Sequence, residues 1–282
     1  MRKADNTRRR EAVDIAMRIV SGVASLIGIF FLGWILWTVA RQGLAAFSIE
    51  FFTELPAPPG VEGGGLANAI VGTALITLLA TFMGVPLGLF TGVYLSEFGK
   101  STRFGGMVRF TMNITMGVPS IIVGLFVYTL LVLPFKHFSA YAGAVALAII
   151  MLPVVARTTE DMLGLVPNAL RESALAIGMP RWRMIVAILF RAARSGLLTG
   201  ILLAVARVSG ETAPLLFTAM SSPYWMKGLS EPTANLTVTI FNYAMSPFDD
   251  WKQLAWGASL LIMTTVLGVN ILARTLLREK TK

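Results

Sequence analysis

Two charged side chains, Arg207 and Glu211, stand inside the otherwise apolar run ILLAVARVSGETAPLLFTA. A charge near the middle of a membrane-length apolar segment costs about 2.5–3.5 kcal/mol on insertion scales, so such groups face a partner or a wet cavity instead of hydrocarbon. A spacing of four predicts both on one helical face, although Arg before Glu is the less favourable order for an isolated pair. Thirteen residues separate Arg194 from Arg207, roughly 20 Å at helical rise, beyond simple snorkelling from the basic end of the segment. The guanidinium is permanently charged, and its planar fork of donors matches the oxygens of a phosphate or a carboxylate. Glu211 can hold that fork or release it. The pair therefore suggests reversible contact with an oxyanion inside a membrane; a fixed interhelical ion pair with no substrate is the competing reading.

Prolines surround these charges. Pro214 lies four residues after Gly210, so its ring is expected to meet the Gly210 carbonyl and kink the helix. Pro86, Pro119 and Pro153 are expected to interrupt their own apolar segments in the same manner, and Gly117-Val118-Pro119-Ser120 adds a flexible residue and a hydroxyl. Gly117, Pro119, Ser120, Ser209, Thr212 and Pro214 are accordingly the candidate pore-lining residues. Ordinary membrane-helix proline is the plain alternative.

The elements that must position these groups follow from composition. Of 282 residues, 55% are hydrophobic and 14% charged, with a mean hydropathy of +0.72, which predicts an all-α integral membrane protein with short loops. Apolar stretches of spanning length fall at about 17–40, 68–95, 107–133, 140–157, 196–220 and 254–276, giving six transmembrane helices. The fourth is short, and its end, Leu152-Pro153-Val154-Val155-Ala156-Arg157, can continue as helix beyond the bilayer. With the N-terminus inside, nineteen of the 24 Lys and Arg residues lie on the inner side, four (Arg41, Lys136, Lys227 and Lys252) outside, and Arg207 within a span. That asymmetry predicts cytoplasmic N- and C-termini. Glu50, Glu54, Glu62, Glu231, Asp249 and Asp250 then lie outside, and Trp34, Trp37, Tyr224, Trp225, Trp251 and Trp256 read as interfacial anchors at outer helix ends. The net charge of +9 is thus an orientation signal, and nucleic-acid binding is excluded by its distribution. The first apolar run is too long for a secretory leader and lacks a clean small-residue cleavage site. The expected organisation is a cytoplasmic N-terminal tail at 1–16 (its first ten residues mobile), a transmembrane domain at 17–277 with a core at 66–276, and a mobile cytoplasmic tail at 278–282.

No cysteine is present and the single His137 cannot build a metal site alone. No nucleophile–base pair, paired carboxylates or ligand cluster occupies the spans, so neither a catalytic residue nor a metal site is expected. Gly99-Lys100-Ser101 ends like a phosphate-cradling P-loop, but Tyr94 stands where its first glycine belongs, and a membrane helix precedes it. Between spans four and five, at about 158–195, the segment EDMLGLVPNALRESALAIGMPRWRMIVAILFRAAR is basic and helical in pattern. Leu170, Ala174, Ile177 and Gly178 fall at helical spacing, with Ser173, Ala174 and Gly178 small enough for close approach by another protein. Arg171, Arg181, Trp182 and Arg183 equally suit a helix lying on anionic lipid.

Glu172-Ser173-Ala174, then Gly178 and Ile188, resembles the EAA loop of binding-protein-dependent ABC importer permeases, with Ser173 for the middle alanine and Phe190-Arg191 where Leu-Pro is usual. GVPSIIVGLF and ARVSGETAPLLFTA are similar to the PstA-type permeases of phosphate-specific importers, and together the likeness covers most of residues 66–220. The resemblance implies a type I ABC importer permease fold in the bacterial inner membrane. It implies phosphate translocation through Arg207 and Glu211, and docking of an ATPase through Glu172, Ser173, Ala174 and Gly178. It also implies partners: a second, PstC-like permease, two PstB-like ATPase subunits that use ATP and Mg, and an extracytoplasmic PstS-like phosphate-binding protein. No cofactor is expected on this chain itself. An arginine alone does not separate phosphate from phosphonate, sulfate or molybdate, and a membrane signalling or scaffold subunit is a further alternative.

Overall fold

The computed structural model describes residues 2–61 and 63–276, with side chains over 10–271 apart from 12 and 62. Glu62 and the expected tail 278–282, with Arg278, Lys280 and Lys282, lie outside the described residues. Eleven helices are described, and one isolated bridge pairs Pro56 with Gly64. Helix α1 runs over Arg2–Leu44 and α2 over Ile49–Thr53. Of the sixteen residues expected as a cytoplasmic tail, residues 2–16 are helical and form the opening turns of α1.

Helix α3 covers Ala67–Phe98, its last five residues in a wide π-helical turn, Tyr94–Phe98. Helix α4 covers Arg103–Gly117 and α5 Ser120–Phe135. Thr102 caps α4, its hydroxyl accepting from Gly105 N at 2.9 Å. Helix α6 spans Ala140–Gly164, capped by Ser139, and runs beyond Arg157 as its sequence allows. Helix α7 is Asn168–Ala176, and α8 is Arg181–Val208. With Phe190-Arg191 in place of the usual Leu-Pro, nothing interrupts α8 there, and only 165–180 of the expected 158–195 loop lies between long helices. Helices α9 (Ala213–Thr218), α10 (Leu236–Ala244) and α11 (Asp249–Leu276) complete the chain.

Among the described residues five helices are long and apolar enough to cross a membrane, and α4 with α5, bent by 104°, makes a sixth crossing if the two form one broken span. The third segment, expected over 107–133 with an interruption at Pro119, is interrupted there, but as a full break between two helices and not as a kink. Pro119 disfavours helical geometry at the preceding residue, and Val118 is extended at φ −72°, ψ 130°. Pro119 itself serves as N-cap of α5. Pro86 and Pro153, expected to interrupt their spans likewise, sit inside the unbroken α3 and α6.

The centre of the fold is the α3–α6 pair. Gly84, Gly88 and Gly92 recur every fourth residue of α3, facing Ala148, Met151, Val155 and Thr159 of α6. Without side chains the backbones approach closely, which is how membrane helices gain contact where lipid offers no hydrophobic driving force. Ile76, Ala80, Leu147, Met151, Val155, Ala204 and Val208 continue this core into α8. Outside it, Phe82, Phe90 and Leu78 are exposed, and the apolar stretch of α1 is unburied throughout, as lipid-facing surfaces are. Helix α1 packs mainly on α11, where Gly43 meets Leu260 and the Trp256 carbonyl.

The segment between spans five and six is ordered by α10. Its N-cap, the buried Asn235, accepts from Val238 N at 3.0 Å and donates to Met220 O at 3.1 Å, and Leu236 N donates to Thr73 Oγ1 of α3 at 2.8 Å. Asn235→Ala removes the cap and strands the Met220 carbonyl, a loss of about 1–3 kcal/mol. The expected result is a lower unfolding midpoint in detergent, measured against the parent chain. Trp251 is half-buried and stacks on Tyr243 at 4.3 Å, packing within the fold, whereas Trp34 and Trp37 stand exposed on α1.

Candidate functional site

Arg207 and Glu211 do not share a helical face. Helix α8 stops at Val208, tightened by Gly210 N to Arg207 O (3.3 Å) and Glu211 N to Val208 O (3.1 Å), and α9 starts afresh at Ala213. Gly210 tolerates this reversal, and Pro214 occupies the first turn of α9, where its missing N–H is not needed. The chain thus breaks here where a kink was expected. Thr237 of α10 holds the turn by donating to the Glu211 carbonyl at 2.9 Å.

The break at 209–212 meets the break at 118–119. Arg207 and Glu211 line a cavity of about 180 Å³ with Thr115, Met116, Val118, Pro119 and Ser120 at the α4–α5 junction and Ile150 and Val154 of α6. Among the described residues no ion pair or side-chain hydrogen bond engages the Arg207 guanidinium, so its fork of donors is available to the cavity. The start of α5 lies at the same place without a side-chain cap, and helix N-termini favour anions. Thr115 and Ser120 add hydroxyls. Of the other pore-lining candidates, Gly117 ends α4 with open space around it, and Thr212 offers its carbonyl to Leu215 and Leu216 at the start of α9. Pro214 is buried in close contact with Gly124 of α5. Ser209 lies elsewhere: its hydroxyl donates to Ala206 O at 2.9 Å, and the residue lines a separate, apolar cavity of about 370 Å³ between α3, α8, α10 and α11.

At one end of the bundle α7 presents a different surface. Glu172 and Ser173 are exposed, while Ala174, 3% accessible, turns inward against Leu163, Val166, Met184 and Leu189. Gly178 closes the helix: Gly178 N donates to Leu175 O at 3.0 Å and Met179 N to Ala174 O at 3.2 Å, with Gly178 at φ +78°. Such a Schellman closure favours glycine. The space around Gly178 is open and Ile177 is 78% exposed, leaving an apolar tip without cover in this chain.

Two arginines, Arg109 counted among the inner-side charges and Arg171 read also as suited to anionic lipid, clamp the π-helical turn of α3. Arg171 of α7 donates from Nη2 to Glu97 Oε1 at 2.9 Å and to Leu163 O at 2.7 Å, and from Nη1 to Val166 O at 2.5 Å. Arg109 of α4 donates from Nε to Glu160 Oε1 of α6 at 2.6 Å, and from its terminal nitrogens to Leu95 O at 2.9 Å and Gly99 O at 3.2 Å. Glu160 Oε2 is buried without a hydrogen bond, with Arg157 Nη1 3.9 Å away. Lys100, beside the false P-loop ending, is exposed, and no group of ligands suited to a metal ion occurs among the described residues.

Residues 84–281 match the family model described as "Binding-protein-dependent transport system inner membrane component". The phosphate transport system permease protein PstA of Yersinia pestis is 51% identical over 272 residues, 96% of this chain and 92% of that protein. That of Haemophilus influenzae is 49% identical, covering 93% and 92%, and PstA 1 of Mycobacterium tuberculosis strain H37Rv is 37% identical, covering 94% and 87%. Among solved structures, an inward-facing form of the MetNI methionine ABC transporter superposes with a TM-score of 0.65 at 19% identity, over 77% of this chain and 96% of that one, a likeness of fold. The helical bundle, the small-residue loop at its end and these relatives agree: this multi-pass membrane protein belongs to the binding-protein-dependent transport system inner membrane components, in the group of the PstA permeases.

Proposed function

We propose that this chain is the transmembrane permease subunit of an ATP-driven importer that carries inorganic phosphate into the cell. The observation that carries the reading is Arg207, unpaired in a cavity formed where two spans break, with Glu211 beside it. A fixed positive charge lowers the cost of taking a partly dianionic oxyanion out of water. Glu211 keeps the site from holding phosphate too tightly, since its carboxylate repels the anion and competes for the same guanidinium. Phosphate is favoured over phosphonate, sulfate and molybdate by the PstA relatives named above.

In this reading both termini and α7 face the cytoplasm of a bacterial inner membrane, following the basic-residue asymmetry. A PstC-like permease completes the pathway, a PstS-like protein delivers phosphate from outside, and two PstB-like subunits use ATP and Mg at the cytoplasmic face. The chain carries no cofactor of its own and does no catalysis. Glu172, Ser173 and Gly178 form the docking surface for the ATPase, and Ala174, buried beneath them, seats α7 on the bundle.

Reconstitution of the whole complex tests the substrate. Labelled phosphate is expected to accumulate with ATP inside, and excess sulfate or molybdate to leave uptake unchanged. Equal competition by those anions would overturn the assignment to phosphate. The docking surface has its own test in Gly178→Val, which forces a β-branched residue into a left-handed conformation costing about 1–2 kcal/mol and crowds the open tip. Loss of the ATPase from the purified complex is expected; retention at normal stoichiometry would refute the docking role.

A further inference from the structure

The π-helical turn Tyr94–Phe98 is held from both sides by charged forks that belong to different helices. On one side Arg171 of α7 grips Glu97; both side chains are nearly buried, at 11% and 8% accessible. On the other, Arg109 of α4 takes the Leu95 and Gly99 carbonyls and reaches across to Glu160 of α6. From Arg109, α4 runs on through Thr115 and Met116 to the break at Val118, all three on the cavity wall. From Glu160, α6 runs back to Val154 and Ile150 on the same wall. A displacement of α7 therefore has a continuous polar and helical route to the residues facing Arg207. The route needs no contact between α7 and the cavity.

We propose that the pairs Arg171–Glu97 and Arg109–Glu160, joined through the turn Tyr94–Phe98, form the strut that transmits movement of the docked α7 to the translocation cavity. The inference rests on the transport reading only in taking α7 as the face that meets the ATPase. The four side chains are positioning residues: none lines the cavity. The end of α3 suits the task because the last carbonyls of a helix lack intrahelical partners, and those of Leu95 and Gly99 accept from Arg109. The spare Oε2 of Glu160 gives the Arg109 guanidinium a second seat, so the fork can shift along the carboxylate without leaving it.

The chain has no cysteine, so a single Thr115→Cys in the assembled complex reports access to the cavity through its rate of labelling by a maleimide. ATP is expected to change that rate when the strut is intact. Glu97→Gln and Glu160→Gln, close in shape to the originals but uncharged, are expected to leave assembly and ATP hydrolysis in place. They should abolish the labelling response to ATP and lower phosphate uptake per ATP about tenfold, within the range of coupling between distant sites. The double variant should be no worse than either single one, as expected for links in series. An unchanged labelling response in an assembled variant overturns the strut. So does failure of the glutamine variants to assemble, or a fall of hydrolysis and uptake in equal proportion, since the pairs would then serve structure alone. No phosphate uptake by the parent complex would count against the transport reading instead, because labelling is read without substrate.

Discussion

Arg207→Ala is expected to abolish ATP-driven uptake of labelled phosphate while the complex still assembles and hydrolyses ATP. Alanine at this position disturbs little else, since the guanidinium holds no neighbouring group among the described residues and α8 already ends one residue later. What is lost is the only cation on the wall of the 180 Å³ cavity. Charge-assisted contacts to a phosphate are worth about 1.5–3 kcal/mol each, so losing a two-pronged fork lowers occupancy by several orders of magnitude. Arg207→Lys separates charge from geometry: a point charge without the planar fork is expected to restore a small part of the uptake. Undiminished uptake by a well-expressed alanine variant would remove Arg207 from the pathway.

Gly92→Leu is expected to prevent the protein from accumulating in the membrane at all. A Cβ at this position collides with Thr159 Cβ and comes within 2.6 Å of the Ala156 carbonyl, so backbone and not a movable side-chain tip stands in the way. The branched side chain must pry α3 from α6 at the most extensive helix pair of the fold. Overpacking of this kind costs about 1–3 kcal/mol where neighbours can shift, and here they cannot. Gly106→Leu in α4 is the control, because that position has open space around it and the parental level is expected. Immunoblots of membrane fractions read both outcomes, and a normal level of the Gly92 variant would refute the packing argument.

Hydropathy made most of the bundle legible. The run past Arg157 and the amphipathic segment around Glu172 follow from apolar spacing and from the lack of a breaker, whereas Ala174, read as small enough for approach by another protein, turns inward against its own chain. The two chain breaks did not follow. Pro86, Pro119, Pro153 and Pro214 read alike, yet two of them sit in unbroken helices, because neighbouring helices decide whether a proline bends a span or ends it. Ser209 and Arg207 lie close in sequence but face different cavities once α8 stops. Glu97 and Arg171, 74 residues apart, carry no local signal of pairing; each reads singly as a charge at a membrane boundary. The recurrence of Gly84, Gly88 and Gly92 at intervals of four was open to view, and marks the α3 face that meets α6.

The packing of α1 bears on how the protein is made. Its main neighbour is α11, the last helix, joined near Gly43 by Leu260 and by Gln253 Nε2 donating to Ala45 O at 3.0 Å. When α1 leaves the ribosome, none of that surface yet exists. The first helix must therefore partition into the bilayer on its own hydrophobicity, and its apolar stretch, unburied in the finished fold, needs no protein to shelter it. Only when α11 has been synthesised and inserted can α1 meet this neighbour.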